Sequence, residues 1–275
     1  MGIGFWNTQT PSSTSLPQSI YLPSVKINSL QVIKSAVRQL LVNLHLPLTR
    51  NLKYDILTKK ILQRELQSGS NCIDVGAHKG EILDLFLEYA PSGKHSAFEP
   101  IPQLFASLQK SYKQSVQVFP FALSNRTGSM LFNVVVDDPA YSGLQRRSYK
   151  SENPTIHSIE VDVRMLDDVM KECNHTIHLI KIDVEGGELD VLKGATRILT
   201  ADKPLLIFEF GKGASEYYGT MPHHMHELLQ SHNYELRTLT NYWLNKAPLT
   251  TEELKTIYEK GSDYYFVASA KANHH

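Results

Sequence analysis

The 275-residue sequence is poor in cysteine and carries no excess of charge. It has two cysteines, Cys72 and Cys173, which do not make a disulfide framework. Cys72 lies in a predicted core strand, so we expect a buried free thiol and a reducing, cytoplasmic compartment. The 28 basic and 28 acidic residues balance, and no run of Lys or Arg suggests a nucleic-acid surface. We therefore expect no nucleic-acid partner.

Long apolar segments and metal-binding patterns are also missing. No stretch approaches the roughly 20 apolar residues that span a membrane, so we expect no membrane span. The group His223, His224 and His226 lacks paired cysteines or acidic partners, and partial exposure at a helix start is the preferred interpretation. Asp167 and Asp168 fit a helix start, where the dipole favours carboxylates, better than a metal pair. We expect no metal site.

Composition and periodicity divide the chain into three parts. Residues 1–27 are rich in Ser, Thr and Pro without a period, which predicts a flexible leader. Residues 28–69 carry two helical patterns, Leu30 to Leu44 and Tyr54 to Leu66, which predict an N-terminal helical extension that packs on a sheet or covers a ligand cleft. Residues 70–270 alternate strand and helix patterns, which predicts one doubly wound, mainly parallel α/β sheet.

Two features of this alternation are specific predictions. Ser129 to Val136 and Ile156 to Val163 are expected to form an antiparallel excursion from the parallel sheet. A single helix is expected to carry Leu189 to Leu199. Between the two antiparallel strands lies a polar loop, residues 137–153, which either lines an acceptor pocket or faces water. Its Arg146 and Arg147 would suit an acidic sugar or a phosphate.

The segment from Asn71 to Glu81 has the pattern of a strand, a glycine turn and a helix start. Gly76 and Gly80 let the backbone approach a ligand where a Cβ would collide. The helix start offers unpaired N–H groups to a carboxylate or phosphate. A turn of this kind without a ligand is common, so the segment alone is a weak indication.

Acidic residues recur where the predicted parallel strands end. In such sheets ligands gather outside the carboxyl ends of the strands. The residues expected there are Asp74, Glu99, the Ala122–Leu123 turn, Asp183, Glu185 and Glu209. A net acidic rim suits a cationic sulfonium nucleoside better than a pyrophosphate. The G-x-G-x-x-G pattern of dinucleotide sites is absent, because His78 occupies the place of its second glycine.

Four segments together resemble a known family: Cys72–Gly80, Ala97–Pro100, Phe121–Ser124 and Leu179–Ala195. They are similar, in order and spacing, to the signature blocks of the FkbM-type methyltransferases, and the resemblance covers roughly residues 70–240. It implies a seven-stranded Rossmann-like sheet of the class I methyltransferases, with S-adenosylmethionine as cofactor. It also implies methylation of a hydroxyl on a sugar or secondary metabolite, so that the partner is a small-molecule or carbohydrate acceptor. His78 departs from the family, which commonly has Asn there.

The resemblance implies roles for individual residues. The residues that would frame the methionine half of the cofactor are Asp74, Gly76, Ala77, His78 and Gly80, with Asp183 near the methyl group. Glu99 would hold the ribose hydroxyls, and Ala122 and Leu123 would hold the adenine side.

An alcohol acceptor also needs a base for its proton. The candidates are Asp183, Glu185, Glu209 and His78. A carboxylate is a poor base for an alcohol unless burial raises its pKa, so His78 is a serious rival. For Glu188 the preferred interpretation is a partner of the helix dipole.

Two other functions stay open. The first is an NAD-dependent oxidoreductase of the Rossmann type, which would need a third loop glycine and a catalytic Tyr-Lys pair or His. The second is a non-catalytic, cofactor-binding protein that kept the fold.

Overall fold

The computed structural model describes residues 49–149 and 153–271, and the structural statements below refer to these residues. The predicted leader, residues 1–27, and the first predicted helix, Leu30 to Leu44, lie outside them. The second predicted helix is present and begins four residues earlier than expected, at Arg50. Thr49 caps it, since its hydroxyl accepts a hydrogen bond from the Leu52 N–H.

Nine α-helices, two short 3₁₀ turns (Pro139–Tyr141 and Ser215–Tyr218) and ten strands make up the secondary structure of the described residues. The helices are α1 Arg50–Glu65, α2 Glu81–Tyr89, α3 Pro102–Tyr112, α4 Leu166–Val169, α5 Glu188–Lys193, α6 Thr196–Ala201, α7 Pro222–Ser231, α8 Leu239–Trp243 and α9 Thr251–Lys260. The strands are β1 Cys72–Val75, β2 His95–Phe98, β3 Val116–Phe119, β4 Ala122–Leu123, β5 Gly128–Val135, β6 Ile156–Arg164, β7 Leu179–Ile182, β8 Leu205–Glu209, β9 Tyr234–Thr238 and β10 Tyr265–Ala270.

Seven strands form the central sheet in the order β3–β2–β1–β7–β8–β10–β9. The first five are parallel, and β10 runs antiparallel to both of its neighbours. The predicted α/β class with a seven-stranded, mainly parallel sheet is therefore confirmed. The winding reverses between β1 and β7, which is the position where sheets of this kind bind ligands.

The smaller sheet, β4–β6–β5, contains the predicted antiparallel excursion. Strands β5 and β6 pair antiparallel over eight residues, and β4 joins β6 in parallel. This sheet stands beside the carboxyl ends of the central strands, because β4 follows directly on the end of β3.

Helices cover both faces of the central sheet, as the doubly wound prediction requires. One face packs Leu57, Ile61, Leu62, Leu83, Phe86 and Leu108 against Cys72, Leu179 and Ile207. The other packs Leu189, Leu192, Met225, Leu229 and Leu254 against Ile73, Ile180, Ile182 and Phe208. Both faces of β1 and β7 are buried, which explains their mostly apolar sequences. Cys72 is buried there as a free thiol, as predicted.

The single helix expected over Leu189 to Leu199 is wrong: the segment forms α5 and α6, separated at Gly194. The helix packs so closely there that a Cβ on Gly194 would lie 2.2 Å from the backbone oxygen of Ser124. The start of α6 is then stabilised by Asp167 of α4, whose carboxylate accepts hydrogen bonds from the N–H groups of Arg197 at 2.7 Å and Ile198 at 3.1 Å.

The histidine group differs in part from its prediction. His223 and His224 are exposed near the start of α7, but His226 is buried. Its Nε2 lies 3.0 Å from the Leu249 carbonyl and its Nδ1 lies 2.9 Å from the Thr251 hydroxyl, so both ring nitrogens form hydrogen bonds within the protein. Within residues 49–149 and 153–271, no group of three or more potential ligands is arranged for a metal ion. None of the described helices is long and apolar enough to cross a membrane.

Candidate active site

A cavity opens at the carboxyl ends of the central strands, and its empty space, including the part open to solvent, is about 660 Å³. The predicted site residues that line it are Gly76, His78, Glu99, Ala122, Leu123, Asp183 and Glu185, together with apolar walls from Phe98, Ile101 and Phe121. The others, Asp74, Ala77, Gly80 and Glu209, lie behind the lining. The cavity therefore joins the ends of β1, β2, β4 and β7.

Gly76 is needed because the loops after β1 and β7 touch. Its φ is +80°, and a Cβ there would lie 2.0 Å from the backbone oxygen of Asp183. Its N–H donates to the Phe98 carbonyl at 3.0 Å, which ties the loop to β2. Gly80 directly precedes α2 with φ +86°, and a Cβ there would lie 2.3 Å from the Tyr112 hydroxyl. Gly80 does not line the cavity, and its role toward a cofactor stays a prediction.

Asp74 is buried beneath the cavity, with 2% of its surface exposed. Its Oδ2 has no hydrogen-bond partner among the described residues. Burial raises the pKa of Asp74 to about 7, and the charge of Lys181 opposes this shift. Lys181 is the residue on β7 that pairs with Asp74 on β1. The structure thus places Asp74 in a buried polar row under the site.

Glu99 holds the first loop in place from the end of β2. Its Oε2 accepts a hydrogen bond from the His78 N–H at 2.8 Å, and its Oε1 accepts one from the Ile101 N–H at 2.9 Å. Burial raises the pKa of Glu99 to about 7, although these two hydrogen bonds oppose the shift. Each carboxylate oxygen has a second lone pair, so the group retains acceptor capacity toward the cavity.

His78 adopts φ +48° and places its ring at the cavity wall. Its Nε2 is buried and has no hydrogen-bond partner within the described chain. Burial, followed by the charge of Lys79, lowers the pKa of His78, so the ring is neutral at neutral pH. The nitrogen is available to a ligand.

Asp183 lies at the end of β7 with 28% of its side chain exposed. Its Oδ2 accepts hydrogen bonds from the Lys181 ammonium at 3.2 Å and from the Tyr265 hydroxyl. Burial alone would raise the pKa of Asp183, but the charge of Lys181 and the hydrogen bonds from Tyr265, Lys181 and Glu209 hold it below its usual value. Burial and the negative charge of Asp183 raise the pKa of Glu209 well above its usual value.

Glu185 forms an ion pair with Arg147, and their side chains are 13% and 9% exposed. The Arg147 guanidinium also lies 4.8 Å from the centre of the Tyr141 ring. Burial and the nearby charge of Asp183 raise the pKa of Glu185 well above its usual value, and Arg147 opposes this. Arg146, in contrast, is exposed and donates to Asn133 Oδ1 at 3.2 Å. The two arginines thus separate: Arg147 reaches the site and Arg146 stays at the surface.

The loop after β5 closes over the cavity. Pro139, Ala140, Ser142 and Leu144 from this loop line it. Tyr218 accepts a hydrogen bond from the Gln145 N–H at 3.2 Å, and Tyr217 shares one with the Ser148 hydroxyl at 2.7 Å. Together with the ion pair of Arg147 and Glu185, these bonds fasten residues 145–148 to the region after β7 and β8.

A sequence profile of the methyltransferase FkbM domain matches residues 74–236, which is more than half of the chain. The chain belongs to the FkbM methyltransferase family. The match includes each site residue named above from Asp74 to Glu209, and it stops before β10, which carries Tyr265.

Two curated relatives that match the chain at low identity are named as methyltransferases. "Methyltransferase 1" of Beauveria bassiana (strain ARSEF 2860) is 28% identical over 141 residues, which is 44% of this chain and 57% of that protein. "2-O-methyltransferase NoeI" of Sinorhizobium fredii (strain NBRC 101917 / NGR234) is 28% identical over 163 residues, which is 54% of this chain and 66% of that protein. The chain thus matches less than two thirds of the length of either relative.

Among solved structures, methyltransferase FkbM from Methylobacillus flagellatus KT resembles this FkbM-family chain with a TM-score of 0.45 and 16% identity. The superposition covers 87% of this chain and 60% of that one. The expectation that nucleic acid is not a partner stays a prediction.

Sequence reasoning missed three residues of the site in this FkbM-family protein. Lys181 precedes Asp183 by two residues, and the two-residue period of a strand would have placed both on one face. Tyr265 comes from β10, and no local pattern in the sequence indicates which strand lies beside β8. Tyr218 is the last residue of a short helical turn after β8, Ser215–Tyr218, and no pattern in the sequence indicates a role for it.

Proposed function

We propose that this FkbM-family methyltransferase uses S-adenosylmethionine to methylate a hydroxyl on a small-molecule or carbohydrate acceptor. The observation that carries the proposal is the cavity at the switch point, whose polar wall includes Glu99, Asp183 and Glu185 beside an apolar wall. The ionised Asp183 attracts a cation, and S-adenosylmethionine carries both a sulfonium and an ammonium group. A bound cation would also favour the ionised forms of Glu99 and Glu185. A pyrophosphate would be repelled by Asp183.

The lining residues fit this cofactor part by part. Glu99 would accept hydrogen bonds from the ribose hydroxyls through its remaining lone pairs. The apolar surfaces of Phe98, Ile101 and Leu123 would enclose the adenine. Asp183 would face the positively charged methionine half, and His78 Nε2 would supply a further polar contact. When bound, S-adenosylmethionine supplies an electrophilic methyl group attached to a sulfonium.

Glu185 is the first candidate for the base that takes the hydroxyl proton. Asp183 is a weaker base because Lys181 and Tyr265 hold its pKa low. Glu209 does not line the cavity. Glu185 lines the cavity and its pKa is raised, which is the condition a carboxylate needs to accept a proton from an alcohol. His78, neutral and at the wall, is the second candidate.

The choice of a hydroxyl acceptor has separate support. The Sinorhizobium fredii relative is described as a 2-O-methyltransferase, at 28% identity. The ion pair of Arg147 with Glu185 adds a charged group at the acceptor side of the cavity, which favours a polar acceptor rich in hydroxyls. Of the alternatives, the NAD-dependent oxidoreductase loses support from the methyltransferase family match.

A methyl-transfer assay tests the proposal. The protein is incubated with S-adenosylmethionine and pairs of acceptors that share one scaffold and differ in a hydroxyl or an amine, and release of S-adenosylhomocysteine is measured by mass spectrometry. We expect release with hydroxyl acceptors, lowered by roughly 10²–10⁴-fold in Glu185→Gln. Glu259→Gln, on the exposed side of α9, is the control and should keep full activity. Transfer confined to amines would overturn the hydroxyl assignment, and a non-catalytic protein would bind the cofactor without any transfer.

A further inference from the structure

The pairing of the strands aligns a row of polar side chains on one face of the central sheet. Lys181 and Asp183 are two residues apart on β7, so their side chains point to the same face. Asp74 lies opposite Lys181 on β1. Tyr265 on β10 lies opposite Glu209 on β8. Because Lys181 pairs with Ile207, two residues before Glu209, all five side chains share this face.

Lys181 is the cation of this row and is buried, with 5% of its side chain exposed. Its ammonium lies 3.2 Å from Asp183 Oδ2 and 5.0 Å from the centre of the Tyr265 ring. Tyr265 donates its hydroxyl hydrogen to the same oxygen. A buried cation requires a paired anion, and Oδ2 of Asp183 meets that need while receiving two donors.

We propose that Lys181 and Tyr265 are positioning residues that keep Asp183 ionised and fix its carboxylate at the cavity wall. The proposal rests on the proposed function in one respect, namely that Asp183 faces the bound cofactor. Neither Lys181 nor Tyr265 lines the cavity, so both act through Asp183.

Asp183 needs this pair because nearly all of its other charged neighbours are acidic. Four acidic residues face Asp183: Asp74 from β1, Glu185 and Glu188 from the segment after β7, and Glu209 from β8. His78 faces it from the first loop, and Arg147 lies beyond Glu185. Burial raises the pKa of each of these carboxyl groups, and Asp183 alone among them has a lowered pKa. Asp183 differs from these carboxyl groups because the Lys181 ammonium and the Tyr265 hydroxyl both donate to its Oδ2.

The first measurement is made without any cofactor. Carboxyl ¹³C NMR of aspartate-labelled protein follows the titration of Asp183, assigned with Asp183→Asn. We expect Lys181→Met to raise its midpoint by about one pH unit or more, a tenfold loss of acidity. Tyr265→Phe should raise it by less, and Lys181→Arg should restore most of the wild-type value. Lys193→Met removes an exposed partner of Asp190 on α5 and is the control, with no expected shift.

The second measurement separates this inference from the proposed function. The affinity for S-adenosylhomocysteine is measured from pH 3 to 7, because the pKa of Asp183 is held below its usual value. The loss of affinity at low pH should move upward in Lys181→Met by the same amount as the NMR midpoint. Unchanged midpoints in both Lys181→Met and Tyr265→Phe would overturn the inference. If Lys181→Met fails to fold, Tyr265→Phe, which removes one oxygen atom, decides the result alone. If the wild-type protein does not bind S-adenosylhomocysteine, the proposed function fails and the NMR result still decides the positioning role.

Discussion

The carboxylate of Glu99 accepts a hydrogen bond of 2.8 Å from the backbone N–H of His78. This bond joins the end of β2 to the glycine loop after β1, and it sets one wall of the cavity. A second bond, from the Ile101 N–H at 2.9 Å, holds the other carboxylate oxygen. Glu99 therefore shapes the loop in addition to offering acceptors to a ribose.

The first prediction concerns this carboxylate. Glu99→Ala should weaken the binding of S-adenosylhomocysteine by roughly 10- to 100-fold, because hydrogen bonds to a charged group contribute about 1.5–3 kcal/mol. Calorimetry gives the affinity, and Glu259→Ala on exposed α9 serves as the control. If the alanine variant at position 99 binds as tightly as the wild type, the ribose assignment is wrong.

Gly76→Ala should destabilise the fold more than Gly219→Ala does. Both glycines have positive φ, +80° and +68°, so both variants carry the backbone strain of about 1 kcal/mol. At Gly76 the new Cβ would also meet the Asp183 backbone oxygen at 2.0 Å, whereas at Gly219 nothing lies within 4 Å. Urea unfolding measures the difference, which we expect to exceed about 1 kcal/mol. Equal losses in the two variants would mean that the loops after β1 and β7 do not touch.

Stability should fall as the pH rises from 6 to 8. Burial raises the pKa of Glu188 to about 7, whereas an unfolded glutamate titrates near roughly 4.3. The folded protein therefore binds the proton more tightly, and the stabilisation is lost as the pH rises through 7. Replacing this carboxyl by an amide in Glu188→Gln should reduce the loss by about 1 kcal/mol. Urea midpoints at pH 6 and 8 test this.

The control for the pH prediction is Glu227→Gln on the exposed side of α7. It should show the same fall in stability as the wild type. The explanation fails if Glu188→Gln loses as much stability between pH 6 and 8 as the wild type does. Histidine titration opposes this fall, because burial lowers the pKa of both His78 and His95 below the roughly 6.5 of an unfolded histidine, so these two residues favour the folded state more as the pH rises. Comparing Glu188→Gln with the wild type isolates Glu188, since both proteins carry the same histidines.

The two cysteines should react at very different rates with a thiol reagent. Cys72 is fully buried, and burial raises its pKa to about 12, which keeps it as an unreactive thiol. Cys173 is partly exposed, and its sulfur lies 3.2 Å from the His175 ring nitrogens. We expect one thiol per chain to react in the native protein and two in guanidinium. Cys173→Ser should abolish the native reaction, and a persistent reaction would place Cys72 at the surface.

Arg147→Met should loosen the loop over the cavity, whereas Arg146→Met should not. Arg147 pairs with Glu185, and breaking a buried pair leaves an uncompensated charge. Hydrogen exchange of residues 143–148, including the Gln145 amide that donates to Tyr218, should accelerate by roughly tenfold or more. Arg146 is exposed and is the matched control. Equal exchange rates in the two variants would show that the ion pair does not hold the loop.

Local pattern predicted much of the fold. The apolar segments at β1 and β7 and the helical spacing of α1 and α3 follow from burial of one or both faces, and these elements are present. The split at Gly194 depends on the contact with Ser124, more than sixty residues away, so the helical pattern did not show it. The antiparallel direction of β10 likewise depends on tertiary pairing.

The position of the candidate site was predictable from the order of the strands. Carboxylates at successive strand ends must meet at one edge of a parallel sheet, and Glu99, Asp183 and Glu185 do line one cavity. Their surroundings were not predictable, because the hydroxyl that reaches Asp183 comes from Tyr265, 82 residues away. The sequence also gave no sign that Gly80 packs against Tyr112, behind the cavity.

The central claim is that the carboxylate-lined cavity binds a positively charged sulfur nucleoside. Calorimetric titration of the wild-type protein with S-adenosylmethionine and, separately, with NAD tests it most directly. We predict one S-adenosylmethionine per chain and no measurable heat from NAD. Binding of NAD with no binding of S-adenosylmethionine would contradict the account.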